Sequence, residues 1–139
     1  MFKIGSVFVP VTNLEKSSAW YEEHLGVKKI GSWDGGAGFH LPNGSTQFGL
    51  IQVETPQPTE FVIKGKQKNS YFNFVVEDVD AVHGELNGRG VVTTDIDDFG
   101  GMRFFDFFDP DGNPFSVVSE VEGSPFHSDN VRKLQEMNR

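Results

Sequence analysis

The sequence predicts an α+β fold in which one β-α-β-β-β unit is written twice. Three observations carry that expectation. Val7, Val9, Val11 and Asn13 fall on Phe72, Phe74, Val76 and Asp78 at a constant offset of 65 residues. Each of these segments alternates like a strand and then changes to helical spacing. Three further strand-like runs follow each helix, and an internal repeat of this kind dictates the architecture.

The first unit spans about residues 1–55. In "IGSVFVPV", Val7, Val9 and Val11 alternate with Ser6, Phe8 and Pro10, giving a strand with two distinct faces. "TNLEKSSAWYEEHLG" is helical, with Asn13 as N-cap, Leu14, Ser18, Tyr21 and Leu25 at helical spacing, and Gly26 as stop. Strands are expected at "VKKIGS", "AGFHL" and "TQFGLIQVE", with "LPNGS" as the hairpin turn before the last. Residues 56–69 read as a connection. The second unit, about 70–121, begins with a strand carrying Phe72, Phe74 and Val76. Its helix is capped by Asp78 and turns Val79, Val82 and Leu86 inward. "VVTTD", "MRFFDFF" and "PFSVVSE" complete it. The tail, about 122–139, lies outside the repeat. It reads as a short helix capped by Ser128 or Asp129, with Val131, Leu134 and Met137 on one side, or as a frayed end.

Composition limits the function classes. A chain of 139 residues with 14 Phe can bury a core as a single domain. Cysteine is absent, which removes disulfides, thiolate metal sites and a cysteine nucleophile and suits a reducing cytoplasm. No apolar run approaches the roughly 18 residues of a membrane span, and the N-terminus lacks the layout of a signal peptide. A net charge of −8 argues against nucleic acid and favours neutral or cationic small molecules.

Three motifs dissolve on inspection. Asp109, Asp111, Asn113 and Glu120 have the outline of a calcium loop, but its sixth position is Pro114 where glycine is needed, and both flanks are strand-like. "DPDGN" is hairpin punctuation. "GGAGFH" is a turn, since no Lys-Ser or Lys-Thr follows to make a phosphate loop. "NGS" at 43–45 matters only in a secreted chain.

The duplicated unit, the "LEKSSAWYEEHLG" helix and "FFDPDGNPF" together resemble the vicinal oxygen chelate superfamily of glyoxalases, bleomycin-resistance proteins and dioxygenases, over about residues 3–121. The resemblance implies two curled sheets forming an open barrel-like cleft, in protomers that commonly pair as homodimers. In the enzymes of that family a divalent metal is held by His, Glu or Gln from the first and last strands of each half. The matching positions here are Ser6, Tyr71 and Ser116, with Gln47, Gly49 or Gln52 as the fourth. Neutral hydroxyls are poor ligands for a dication, so no cofactor is expected and metal in the usual position is disfavoured. His24 and His83 fall on helices and His127 in the tail, leaving His40 as the one histidine able to face inward.

The expected cleft-lining groups are Ser6, Phe8, Trp33, His40, Tyr71, Asn73, Arg103, Asp106 and Ser116. On the "MRFFDFF" strand either Arg103, Phe105 and Phe107 or Phe104, Asp106 and Phe108 point inward. Arg103 is also suited to pairing with Asp106 or Asp98. Trp33, in a glycine-rich stretch, is suited to stacking on a planar ligand. The leading expectation is a protein that sequesters a small aromatic or cationic molecule. The alternative is an enzyme of the lyase, isomerase or dioxygenase type, metal-free through Tyr71 or Asp106 or using a displaced metal site.

Overall fold

The computed structural model describes all 139 residues, Met1–Arg139. The chain divides into two compact units, one made of Met1–Phe72 with Phe108–Pro114 and the other of Asn73–Phe107 with Phe115–Arg139.

In the first unit, strand β1 (Ser6–Val11) leads into helix α1 (Leu14–Leu25), followed by β2 (Lys28–Trp33), β3 (Gly36–His40) and β4 (Gln47–Gln52). The sheet runs β1-β4-β3-β2, with β1 parallel to β4 and the other neighbours antiparallel. Helix α1 starts where expected: Asn13 Oδ1 accepts from Lys16 N at 3.0 Å, satisfying one of the free amides of the first turn. It stops at Gly26, whose φ of 68° belongs to the left-handed region that favours glycine. The sheet face toward α1 is apolar and sealed. Val9, Val11, Phe39, Phe48 and Leu50 are all fully buried, and the Tyr21 ring lies 5.1 Å from that of Phe48.

The expected connection at 56–69 proves structured. Strands β5 (Glu60–Lys64) and β6 (Gln67–Ser70) form a separate two-stranded hairpin. Phe61 and Ile63 supply the alternation, and Gly65, at φ 57°, supplies the turn. The polar and lysine-rich flanks masked this signal.

The second unit repeats the topology: β7 (Asn73–Val75), α2 (Val79–Gly88), β8 (Asp97–Phe99), β9 (Met102–Phe108) and β10 (Pro114–Val118), in the order β7-β10-β9-β8. Its β7 is again parallel to the last strand of its sheet. Asp78 caps α2 through Ala81 N, 65 residues after the equivalent bond of Asn13. Phe105, Phe107, Phe115 and Val117 are buried between sheet and helix. Neither four-stranded sheet closes into a barrel.

Two elements differ from expectation. "VVTTD" is not a strand, because Val91 N bonds back to Leu86 O at the end of α2 and Val91 is drawn into the core. Only Thr93 remains to pair, in an isolated bridge to Phe107, and the edge strand forms later at Asp97. The tail is a helix, α3 (Ser128–Met137), but its cap is His127, whose Nδ1 accepts from Asp129 N. Ser128 is otherwise engaged: its amide and hydroxyl both donate to Glu120, at 2.6 and 2.8 Å. No helix is long and apolar enough to cross a membrane.

Candidate functional site

Residues directly opposite one another in a sheet point to the same side, so register maps each face. On the side of the first sheet away from α1, three rows run across the strands. The first is Ser6, Gln47, His40 and Lys28; the second is Phe8, Gly49, Gly38 and Gly31; the third is Pro10, Ile51, Gly36 and Trp33. Four glycines, Gly31, Gly36, Gly38 and Gly49, therefore lie together, and no side chain rises from their backbone. Two aromatic rings fill the space. A Cβ built on Gly49 would lie 2.6 Å from Phe8 Cδ1, so the Phe8 ring lies over the Gly49 backbone. A Cβ on Gly36 would overlap the Trp33 indole, which also reaches Gly38. Glycine in a strand interior marks such close approaches. Both rings remain open to solvent, Phe8 at 58% and Trp33 at 51% exposure. The result is a shallow trough with a glycine floor and an aromatic ring at either side.

The corresponding face of the second sheet carries a polar pair among apolar groups. Ser116 stands opposite Asn73, and its hydroxyl donates to Asp106 Oδ1 at 2.7 Å. The backbone of Asp106 is held by Thr94: its amide donates to Thr94 Oγ1, and its carbonyl accepts from Thr94 N, both at 2.8 Å. Of the two registers open for "MRFFDFF", Phe104, Asp106 and Phe108 share the Ser116 face, while Phe105 and Phe107 are buried on the α2 side. Arg103 has the parity of Phe105 and Phe107. It is turned toward α2, where its Nε and Nη2 donate to Asp80 at 3.1 and 2.7 Å. This corrects its placement among the cleft groups and its pairing with Asp106 or Asp98. The guanidinium holds the Asp80 carboxyl below its ordinary range by hydrogen bond and charge.

The remaining expected groups separate. Ser6 and His40 lie in the outer polar row of the first sheet, and His40 Nδ1 meets Leu41 O at 3.0 Å. Tyr71, 70% exposed, is not part of the second sheet; its ring lies 5.2 Å from Phe61 of the β5–β6 hairpin. His83 is structural, edge-on to Phe105 at 4.8 Å with Nε2 2.9 Å from Thr94 O.

The acids of "DPDGN" are equally structural. The buried Asp109 takes Asp111 N and Asn113 N on Oδ1, and Tyr21 OH and Asn113 Nδ2 on Oδ2, all between 2.7 and 2.9 Å. Asp111 receives both the amide and the hydroxyl of Thr12. Burial, and then the Asp109 carboxylate, push the Tyr21 phenol well above its ordinary range.

Sequence reasoning named Phe8 and Trp33 as cleft groups but not the glycines beneath their rings. The available signal was Gly36 and Gly38 at strand spacing, in a stretch read as a turn.

The chain matches the family model described as Glyoxalase/Bleomycin resistance protein/Dioxygenase superfamily over residues 3–117. Among solved structures, a protein of that description from Sphaerobacter thermophilus is 23% identical, with a TM-score of 0.72 covering 86% of this chain and 98% of that one. A domain of similar description from Frankia sp. EAN1pec is 21% identical, with a TM-score of 0.66 covering 87% and 99%. A lactoylglutathione lyase from Agrobacterium tumefaciens is 16% identical, with a TM-score of 0.66 covering 88% and 97%. No curated protein matches the chain. At these identities the structural likeness establishes the fold.

Proposed function

The chain belongs to the glyoxalase/bleomycin resistance protein/dioxygenase superfamily, and on that premise we propose that it binds and sequesters a planar aromatic cation. The ligand lies on the trough of Phe8 and Trp33, and no bound metal takes part. The observation that carries this reading is the pair of half-exposed rings held against a glycine floor. A ring stacked there gains from the faces of both aromatics, and a positive charge adds about 0.5–2 kcal/mol over such faces. The net charge of −8 favours approach of a cation.

The metal positions support the same reading. Asn73 is the repeat counterpart of Phe8, and Asn73 stands opposite Ser116 as Phe8 stands opposite Gly49. Gly49 is therefore the counterpart of Ser116, which favours it over Gln47 and over Gln52, whose Oε1 accepts from Leu14 N. The four positions where the family's enzymes hold metal thus read Ser6, Gly49, Tyr71 and Ser116. Glycine offers no side-chain donor, the other three are neutral hydroxyls, and such a set does not fit a divalent cation. Action as a homodimer in a reducing cytoplasm belongs to this proposal, supported by the absence of cysteine and by exposed Ile30 and Val75.

A second reading, a metal-free enzyme, is favoured by one observation, the Ser116–Asp106 hydrogen bond. Asp106 would accept a ligand proton relayed by the serine hydroxyl. One experiment tests the first reading. Protein purified without added metal is assayed for bound Zn, Ni, Mn and Fe, and chelator-treated protein is titrated with proflavine, a planar aromatic cation. Saturable thermal stabilisation without metal supports sequestration. Stoichiometric metal that Tyr71→Phe removes would sink it.

A further inference from the structure

A separate cavity of about 460 Å³ opens at the β1 edge of the first unit. Its walls are the β1 segment Val7–Pro10, Ile51 and Val53, and the two roots of the β5–β6 hairpin, Gln57–Thr59 and Tyr71–Phe72. That volume and apolar lining suit a small ligand, and such sites carry a few polar groups that set orientation. Thr59 supplies one. Its Oγ1 is buried without any hydrogen-bond partner, a rare condition that calls for an explanation. A turn about its Cα–Cβ bond from one staggered well to another would offer the hydroxyl to the cavity without breaking a bond.

The hairpin itself is the second observation. Neither β5 nor β6 contains a buried residue, and Phe61, Val62 and Ile63 stand exposed. An isolated two-stranded hairpin is marginal in water, so these apolar groups await a surface to cover. Both of its roots line the cavity, and the Phe61 ring already meets Tyr71 of the wall.

We infer that this cavity binds an aliphatic molecule carrying one hydroxyl or carbonyl group, which pairs with Thr59, and that the β5–β6 hairpin closes over it. The cavity adjoins the aromatic trough: Phe8, Pro10 and Ile51 belong to the trough face and border it too, while Trp33 and the glycines do not.

The test uses the full chain and 1-octanol, read by hydrogen exchange of the amides of residues 60–70. Saturating 1-octanol is expected to slow exchange there by about tenfold, as local opening is suppressed. Val53→Trp, which fills the cavity, is expected to remove the slowing while proflavine still binds. Thr59→Val keeps the shape and removes the hydroxyl, and is expected to weaken 1-octanol by about fivefold. No slowing in the native chain overturns the inference, as does slowing that persists in Val53→Trp. Equal 1-octanol affinity in Thr59→Val overturns the role of the hydroxyl. Proflavine binding that fails while 1-octanol still slows the hairpin counts against the trough alone.

Discussion

The two sheets are built from the same unit, yet the faces turned away from their helices have become different surfaces. On the first, Gly36, Gly38 and Gly49 leave a bare floor that Phe8 and Trp33 overlie. On the second, the counterpart of Gly49 is Ser116, hydrogen-bonded to Asp106, and the counterpart of Phe8 is Asn73. The helix sides show no such divergence: both helices are capped by a side chain at the same repeat position, and both cores are sealed by aromatic and aliphatic groups. Packing tolerates little change, because each buried atom answers to many neighbours. The open faces are free of that constraint, and there the halves have separated into one surface of aromatic rings on glycine and one with a Ser116–Asp106 pair between Phe104 and Phe108.

That contrast can be broken at its root or tested at its surface. The largest effect is expected from Asp109→Ala, which removes the acceptor of the Tyr21 hydroxyl and of two turn amides and one of the two acceptors of the Asn113 side chain. A loss of about 3–5 kcal/mol in urea unfolding is predicted. The Tyr21 phenol, raised by burial, contributes stability that is whole below the ordinary tyrosine value of about 10 and falls as pH rises beyond it. Tyr21→Phe should flatten that alkaline loss in thermal scans.

At the surface, Trp33→Ala should weaken proflavine by about tenfold, close to 1.4 kcal/mol, with the unfolding midpoint little changed. Gly49→Ala should cost about fivefold, because its new Cβ displaces the Phe8 ring that now lies over the backbone. Ser116→Ala, on the second sheet's face, should leave proflavine affinity unchanged; an equal loss there would erase the distinction between the faces. The smallest effect lies at α3. Ser128 holds the Glu120 carboxyl below its ordinary range, so its anchoring of the helix is complete above pH 4.5 and lost as pH falls through the lowered value. Amide exchange at residues 128–131 should quicken in that window.

The repeat and its caps were legible because they are local: alternation, helical spacing and a capping side chain need only a few consecutive residues. The trough was not, since it depends on which residue of β4 faces which of β1 and β3. That register places Gly49 under Phe8, and no single segment encodes it. Arg103 was misplaced for a related reason. In a run as aromatic as "MRFFDFF" both parities look buried, and only the partner Asp80 on α2 reveals the direction. The β5–β6 hairpin was hidden by its lysines, and His127 was passed over as a cap because Ser128 is the commoner one.

A planar ligand is expected to lie on the first sheet's trough. Backbone amide shifts recorded while proflavine is added test this directly, because a stacked ring shifts the nuclei beneath it. Saturable shifts at Gly36, Gly38, Gly49 and the Trp33 indole, with Asn73, Asp106 and Ser116 unmoved, are the predicted result. Shifts confined to Asn73, Asp106 and Ser116, with the glycines silent, would contradict it.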